Sequence, residues 1–179
     1  MTNEHSSLQA SESGRADGVP QGSGLAEIDI GDGTELLTFR SGDRRFAVDI
    51  MSVREIRGWS QPTPLPHSDP WLRGMVNLRG TVLPVMDLAQ RLGRAPTEDD
   101  PRNVIIVIEE GGRVHGLLVQ AVSDILRPSE DQLQEVPVTD ADGEASVAER
   151  LFVTDDAMIQ ILSVDRLLRT TRPQIGSSS

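Results

Sequence analysis

The side chains that could carry acid–base, nucleophilic or metal chemistry are few in this sequence, and they are not grouped. The three histidines, His5, His67 and His115, lie in different segments, and none has a second histidine or a carboxylate at the spacing of a helical metal site. The run His67-Ser68-Asp69 contains the residue types of a catalytic triad. Consecutive residues between prolines cannot place a nucleophile, a base and an orienting acid in line, however, so the sequence predicts neither a metal centre nor a triad.

Two pairs of adjacent acids are the remaining candidates for acid–base catalysis. Glu109-Glu110 and Asp155-Asp156 both fall in predicted hairpin turns, where water solvates both carboxylates equally. The chain also contains no cysteine, which excludes a thiolate nucleophile and a thiolate metal site. We therefore expect no enzymatic activity, no cofactor and no metal.

Charges inside an apolar stretch favour recognition over catalysis. The segment from Leu72 to Gly93 reads LRGMVNLRGTVLPVMDLAQRLG, in which strand-forming residues alternate with Arg73 and Arg79. A protein core does not accept such charges unpaired, so we expect them at the rim of a rigid apolar scaffold. The sequence thus predicts a binding surface in this segment.

Composition limits the partners that such a surface could have. The 179 residues carry a net charge of −11, and all 17 basic residues are arginines, which argues against a nucleic-acid binder with a clustered basic face. The first residues have neither a basic n-region nor an apolar h-region, and no long apolar run follows. We expect a cytoplasmic protein without direct membrane insertion.

The elements that would position the candidate residues are short strands. Residues 1–33 carry six acids against one arginine and are predicted to form a disordered acidic, Ser/Gly-rich tail; residues 170–179 are predicted to be a flexible C-terminal tail. Residues 34–169 between them form the predicted folded domain, whose hydrophobic period is mostly two. The predicted strands are Glu35–Arg40, Arg45–Asp49, Ser52–Gly58, Val76–Met86, Asn103–Ile108, Val114–Val119, Val122–Leu126, Leu151–Thr154 and Met158–Leu162.

Helices are predicted only twice. Asp87 suits the N-cap of a helix over Leu88–Leu92 that Gly93 ends, and Ser163 suits the N-cap of a helix over Val164–Arg169. About ten short strands with so little helix predict an all-β protein, built as paired small barrels or a sandwich.

Four blocks of the chain resemble the CheW family of chemotaxis coupling proteins. They are ELLTFRSGDRRFAVDIMSVREIRG, LRGMVNLRGTVLPVMDLAQRLG, NVIIVIEEGGRVHGLLVQAVSDIL and MIQILSVDRLL, which together lie between residues 34 and 169. The resemblance implies two intertwined five-stranded SH3-like β-barrels without catalytic machinery. It also implies an adaptor that couples the cytoplasmic tip of methyl-accepting chemoreceptors to the regulatory domain of the histidine kinase CheA, recruited to membrane-bound receptor arrays.

The family's functionally sensitive positions carry over to residues of this chain that match its EI and NLRG motifs. Arg79 is the foremost candidate for receptor or kinase binding, because a guanidinium offers planar bidentate contacts to carboxylates or carbonyls. A structural alternative is an internal pair of Arg79 with Glu55 or Asp87 that braces the two barrels. The candidate binding residues are Val53, Glu55, Gly74, Asn77, Leu78 and Arg79.

Two other functions stay open at the level of the sequence. The chain could serve as a CheW-like coupling protein in a non-flagellar pathway, with a pilus or developmental output. Less in keeping with the residues, it could be an SH3-like barrel that binds a small ligand.

Overall fold

The structure, a computed structural model, describes residues 33–137 and 143–169. His5, almost all of the predicted N-terminal tail and the predicted C-terminal tail lie outside these ranges. The strands and helices are β1 (Leu36–Ser41), β2 (Arg44–Asp49), β3 (Val53–Gly58), β4 (Leu72–Leu78), β5 (Thr81–Asp87), α1 (Leu88–Arg91), β6 (Val104–Glu110), β7 (Arg113–Val119), β8 (Ala121–Leu126), β9 (Leu133–Glu135), α2 (Glu144–Val147), β10 (Ala148–Val153), β11 (Met158–Leu162) and α3 (Val164–Leu168).

The strands form two sheets that alternate along the chain, since β1 and β2 belong to one sheet, β3–β7 to the other, and β8–β11 to the first sheet again. The first sheet has the order β8-β1-β2-β11-β10-β9, and the second has the order β3-β6-β7-β5-β4. Neighbouring strands are antiparallel except for two parallel pairs, β2 with β11 and β5 with β7. The all-β fold of two intertwined SH3-like barrels is thereby confirmed, with the three-residue β9 as a sixth strand in the first barrel.

The largest hydrophobic cluster is shared by the two sheets. Phe39 of β1 and Phe46 of β2 are directly opposite each other, and their ring centroids are 6.3 Å apart. Both pack in one cluster with Met86, Ile106 and Leu117 from the second sheet, and all five side chains are buried. Because each barrel is too small to bury a large core alone, the shared cluster holds them in one compact unit.

The predicted single strand Val76–Met86 is wrong, because the chain folds back in its middle. β4 ends at Leu78 and β5 begins at Thr81, and these two residues pair across a two-residue turn. The turn consists of Arg79 and Gly80, both with positive φ, which is the pattern of a type I′ hairpin. The two strands of this hairpin form one edge of the second sheet.

The two predicted helix caps are confirmed. The Asp87 side chain accepts a hydrogen bond from the Ala89 amide at the start of α1, and the Ser163 side chain accepts one from the Arg166 amide at the start of α3. Helix α2 and strand β9 were not predicted. Among the residues that the structure describes, no helix is both long and apolar enough to cross a membrane.

Candidate functional site

The tip of the β4–β5 hairpin places an arginine in a backbone conformation that arginine rarely adopts. Arg79 has a φ of 51° and Gly80 a φ of 82°. Glycine adopts positive φ at no steric cost, whereas a residue with a Cβ loses about 1–2 kcal/mol there. Asn77 fixes the turn, since its Oδ1 accepts a hydrogen bond from the Gly80 amide at 2.9 Å. The sequence therefore holds a long cation at a strained position on the surface.

Arg79 is exposed and contacts only one acid among the described residues. Its side chain is 74% exposed, and Nη2 lies 3.1 Å from Oε2 of Glu55 on β3. The Glu55 carboxylate also lies 3.9 Å from Nη1 of Arg57. Of the two internal partners considered from the sequence, Glu55 is thus the one that the structure shows. Because such an exposed pair contributes only about 0–1 kcal/mol, it orients the guanidinium more than it stabilises the fold.

The Arg79–Glu55 pair spans the mouth of an apolar groove. β3 and β4 are the two edge strands of the second sheet, and the ion pair connects Glu55 of β3 with the turn that follows β4. The groove has a volume of about 440 Å³. It is lined by Arg54, Glu55, Leu78, Arg79, Thr81, Val82, Leu83, Val107 and Val114.

The groove has an apolar floor and a charged rim. Val82 leaves 58% of its surface exposed although it is a large hydrophobic residue. Leu78 is half-buried beside it, and Arg54, Glu55 and Arg79 form the polar edge. A surface of this kind suits the apolar face of an amphipathic helix with a carboxylate or carbonyl at its border.

Two of the predicted site residues lie away from the groove and have packing roles. Gly74 is buried with a φ of 143° at a β-bulge, and a Cβ built on it would lie 2.2 Å from the carbonyl oxygen of Thr63. Thr63 pairs through both backbone hydrogen bonds with Met75, so the connection between β3 and β4 lies directly against the strand. Val53 is half-buried and packs against the main core. Among the six predicted residues, the structure therefore brings Glu55, Leu78 and Arg79 together at the groove, with Asn77 shaping the turn.

Arg73, the second charge in the apolar stretch, has a different partner from Arg79. The Nε atom of Arg73 lies 3.3 Å from Oδ2 of the fully buried Asp87 and forms an ion pair with it, although the geometry is not that of a hydrogen bond. The Nη2 atom of Arg73 donates a hydrogen bond to the Thr97 carbonyl. Asp87 also accepts from the Thr97 amide and hydroxyl, each at 2.8 Å. Asp87 is therefore occupied internally and is not available to Arg79.

The groove residues that are not among the six predicted binding residues are Arg54, Thr81, Val82, Leu83, Val107 and Val114. They lie on four strands, β3, β5, β6 and β7, and the turn at Arg79 decides which residues of β5 face the groove. Without that turn the register of β5 against β7 cannot be read.

His115 has a lowered pKa. It lies on β7, its Nδ1 is buried without a hydrogen-bond partner among the described residues, and burial, followed by the charge of Arg113, lowers its pKa. The ring is therefore neutral at pH 7.

Comparison with known proteins agrees with this architecture. The family described as CheW-like domain matches residues 35–172. A probable chemotaxis protein CheW from Rhizobium etli is 45% identical over 140 residues, which cover 78% of this chain and 90% of the relative. Protein FrzA from Myxococcus xanthus is 31% identical over 147 residues, which cover 77% of this chain and 87% of the relative.

A solved structure gives the same result for the fold. The crystal structure of the scaffolding protein TtCheW from Thermoanaerobacter tengcongensis superimposes with a TM-score of 0.70 at 27% sequence identity. The match covers 78% of this chain and 94% of that protein.

Proposed function

The chain belongs to the CheW family of chemotaxis coupling proteins, and we propose that it joins the cytoplasmic tip of methyl-accepting chemoreceptors to the regulatory domain of the histidine kinase CheA. It does so as a non-catalytic adaptor. On this proposal the chain works on the cytoplasmic side of membrane-bound receptor arrays and is recruited there by its partners. On the same proposal, residues 34–169 form the adaptor domain.

The strained, exposed position of Arg79 is the observation that supports this proposal most strongly. An arginine at positive φ costs free energy, and its single exposed ion pair does not offset a cost of about 1–2 kcal/mol. Backbone strain that persists on a surface is typical of residues kept for binding. Arg79 therefore contacts a partner, and Glu55 holds the guanidinium in place until that partner arrives.

The groove beside Arg79 determines what kind of partner surface fits. Leu78 and Val82 offer apolar contacts that a helix would cover with side chains one turn apart, whereas Leu83, which also lines the groove, is buried. A carboxylate or free carbonyl at the border of that helix would accept from the Arg79 guanidinium. A helical receptor tip has both features, which is why we assign the groove to helix docking.

Assembly of the three components tests the proposal. Receptor signalling fragments, kinase and this protein are co-sedimented, with wild type compared to Arg79→Ala. We expect the wild-type protein to recruit kinase to the receptor fraction and to raise kinase activity, and Arg79→Ala to recruit less. Arg102→Ala is the matched control, because Arg102 is also exposed and paired, here with Asp100, but lies outside the groove. If omitting the protein leaves recruitment and kinase activity unchanged, the adaptor function is wrong.

The pathway that the adaptor serves has a second candidate. The similarity to Protein FrzA is compatible with a non-flagellar output. Deleting the gene and scoring swimming against surface motility separates the two. A swimming defect alone supports the chemotaxis assignment, and a surface-motility defect alone supports the other pathway.

A further inference from the structure

Two arginines lie opposite each other in the β1–β2 hairpin. Arg40 of β1 and Arg45 of β2 are direct partners in the antiparallel register, and both are exposed. Directly opposite residues have Cβ atoms about 4.5–5.5 Å apart, and like charges at that distance destabilise a strand pair. In a chain with a net charge of −11, such a concentration of positive charge needs an explanation.

Neither arginine has a partner in the part of the chain that the structure describes. Arg40 and Arg45 make no ion pair and no side-chain hydrogen bond there, whereas each other described arginine pairs with an acid or donates to a backbone carbonyl. Those contacts involve Arg44, Arg54, Arg57, Arg73, Arg79, Arg91, Arg94, Arg102, Arg113, Arg127, Arg150, Arg166 and Arg169. The two unpartnered cations are therefore cross-strand neighbours and not scattered.

The hairpin holds the two arginines on a rigid support. β1 and β2 pair with each other over their full length of six residues. β8 lies on the other side of β1 and β11 on the other side of β2, so both strands are internal to the first sheet. The residue opposite Arg40 on β8 is Ala121, which carries no charge. The two guanidiniums are therefore attached to a backbone that is fixed before a partner binds, which lowers the entropy cost of binding.

Two acids around the turn of the hairpin do not neutralise the pair. Asp43, in the turn itself, lies 3.5 Å from Arg94. Asp156 lines a groove together with Arg45, but no ion pair joins these two residues. The positive charge of the pair is thus available to an acidic partner.

We propose that Arg40 and Arg45 form a docking site for a helix of a partner protein that carries two carboxylates one turn apart. Two adjacent guanidiniums offer charge-assisted donors to the two carboxylates, and this pairing relieves the mutual repulsion of the arginines. The net charge of −11 favours a protein partner over a membrane, because an anionic lipid surface repels the chain as a whole.

The spacing of the arginines determines which kind of segment fits. Side chains at positions i and i+4 of a helix have Cβ atoms about 5–6 Å apart, which matches the separation across the strand pair. On an extended strand, neighbouring side chains point to opposite faces, and two acids on one face are about 6.6 Å apart. A helix therefore supplies two matching carboxylates from a single segment.

The arginine pair and the groove beside Arg79 are carried by different strands. Arg40 and Arg45 belong to the first sheet, whereas the strands that line the groove, β3, β5, β6 and β7, all belong to the second. The docking site on the hairpin therefore does not rest on the function assigned to the groove, and either assignment can fail without the other.

Titration of the isotope-labelled, full-length protein with two synthetic peptides tests the site. Both peptides are alanine-rich helices of the same composition. The paired peptide carries glutamates at positions i and i+4, and the split peptide carries them at i and i+2, where they do not face the same side. We expect the paired peptide to shift the amide signals of Phe39 and Phe46, next to the arginines, at low salt. It should bind about fivefold more tightly than the split peptide, since only the paired peptide forms both ion pairs.

Two double variants show whether the arginines are responsible for the binding. Arg40→Gln/Arg45→Gln should abolish the shifts, whereas Arg102→Gln/Arg150→Gln removes the same charge elsewhere and should leave them intact. The urea midpoint of Arg40→Gln/Arg45→Gln at low salt should equal or exceed that of the wild type, because the substitutions remove a repulsion. This second measurement separates a pair kept for binding from one that supports the fold.

Four results would overturn the proposal. The first is the absence of saturable shifts in a protein whose spectrum shows it to be folded. The second is equal affinity for the two peptides, or equal shifts in Arg40→Gln/Arg45→Gln. The third is a lower urea midpoint of that variant. The fourth is a different occupant: sedimentation of the wild type, but not of the variant, with phosphatidylglycerol vesicles identifies a membrane, and shifts of Phe39 and Phe46 on raising the protein concentration without peptide identify a second copy.

Discussion

Replacing Arg79 by asparagine should separate a binding role from a structural one, because the two roles predict opposite signs. Arg79→Asn gives the turn the Asn-Gly dipeptide that type I′ hairpins favour. The substitution removes strain of about 1–2 kcal/mol, since asparagine tolerates positive φ. It also removes the ion pair with Glu55, which contributes about 0.5 kcal/mol, the middle of the range for a pair whose arginine is 74% exposed.

The difference between these terms sets the expected stability. The free energy of unfolding should rise by about 1 kcal/mol, which an m value of about 2 kcal/mol/M converts into a urea midpoint about 0.5 M higher. Loss of a charge-assisted contact of about 1.5–3 kcal/mol should at the same time weaken receptor and kinase recruitment by at least about tenfold. A more stable protein that binds worse is the signature of a residue retained for its partner.

Urea unfolding followed by circular dichroism, together with co-sedimentation, measures both quantities on the same preparation. Glu55→Gln is the companion variant, because it removes the ion pair and leaves the turn alone. We expect its stability to stay within about 0.5 kcal/mol of wild type. If Arg79→Asn lowers stability by 1 kcal/mol or more, or if recruitment is unaffected, the interpretation of Arg79 as a docking residue is refuted.

Three further variants test the surrounding structure. Gly74→Ala should destabilise the protein by about 3 kcal/mol, because its Cβ would lie 2.2 Å from a backbone oxygen, whereas Gly58→Ala, with open space around it, should unfold as wild type does. Asp87→Ala should cost about 3 kcal/mol in urea unfolding, since it leaves the Ala89 amide, the Thr97 amide and the Thr97 hydroxyl without their acceptor and removes the ion pair with the half-buried Arg73. Acidification should destabilise the wild type, because the pKa of His115 is lower in the folded than in the unfolded protein. Below about pH 6.5 the unfolded chain binds a proton at this histidine that the folded chain does not bind. The free energy of unfolding therefore falls with the pH until the pH passes the folded-state pKa. His115→Gln should make the free energy of unfolding depend less on pH in this range. An unchanged pH dependence would contradict its assignment to His115.

Sequence patterns predicted most strands because their physical signal is local. Alternating burial along segments such as Val53–Gly58 follows from the two-residue period of a strand, and the caps at Asp87 and Ser163 follow from side chains that satisfy nearby amides. The hairpin at Arg79-Gly80 was missed because arginine at the first turn position is not a turn former. The same strain that hid the turn from the sequence is the observation on which the proposed binding role of Arg79 rests.

Other features depend on contacts that no local pattern contains. Helix α2 has only four residues, and the Glu144 side chain at its start is held by Arg44 and Arg94 from distant parts of the chain. The groove requires the sheet to curve so that Glu55 on one edge meets Arg79 on the other. Resemblance to a family supplied the names of site residues, but only the packing shows that Gly74 lies under a neighbouring backbone.

The interleaving of the two sheets sets an order of folding during synthesis. Strands β3 to β7 are consecutive in the chain, so the sheet that bears the groove is complete once residue 119 has emerged from the ribosome. β2 gains its second neighbouring strand only when β11 has been made, more than a hundred residues later. Nascent chains stalled shortly after β7 should therefore resist protease over β3–β7 while β1 and β2 are still cleaved. The groove beside Arg79 can thus be complete on the ribosome before the first sheet is.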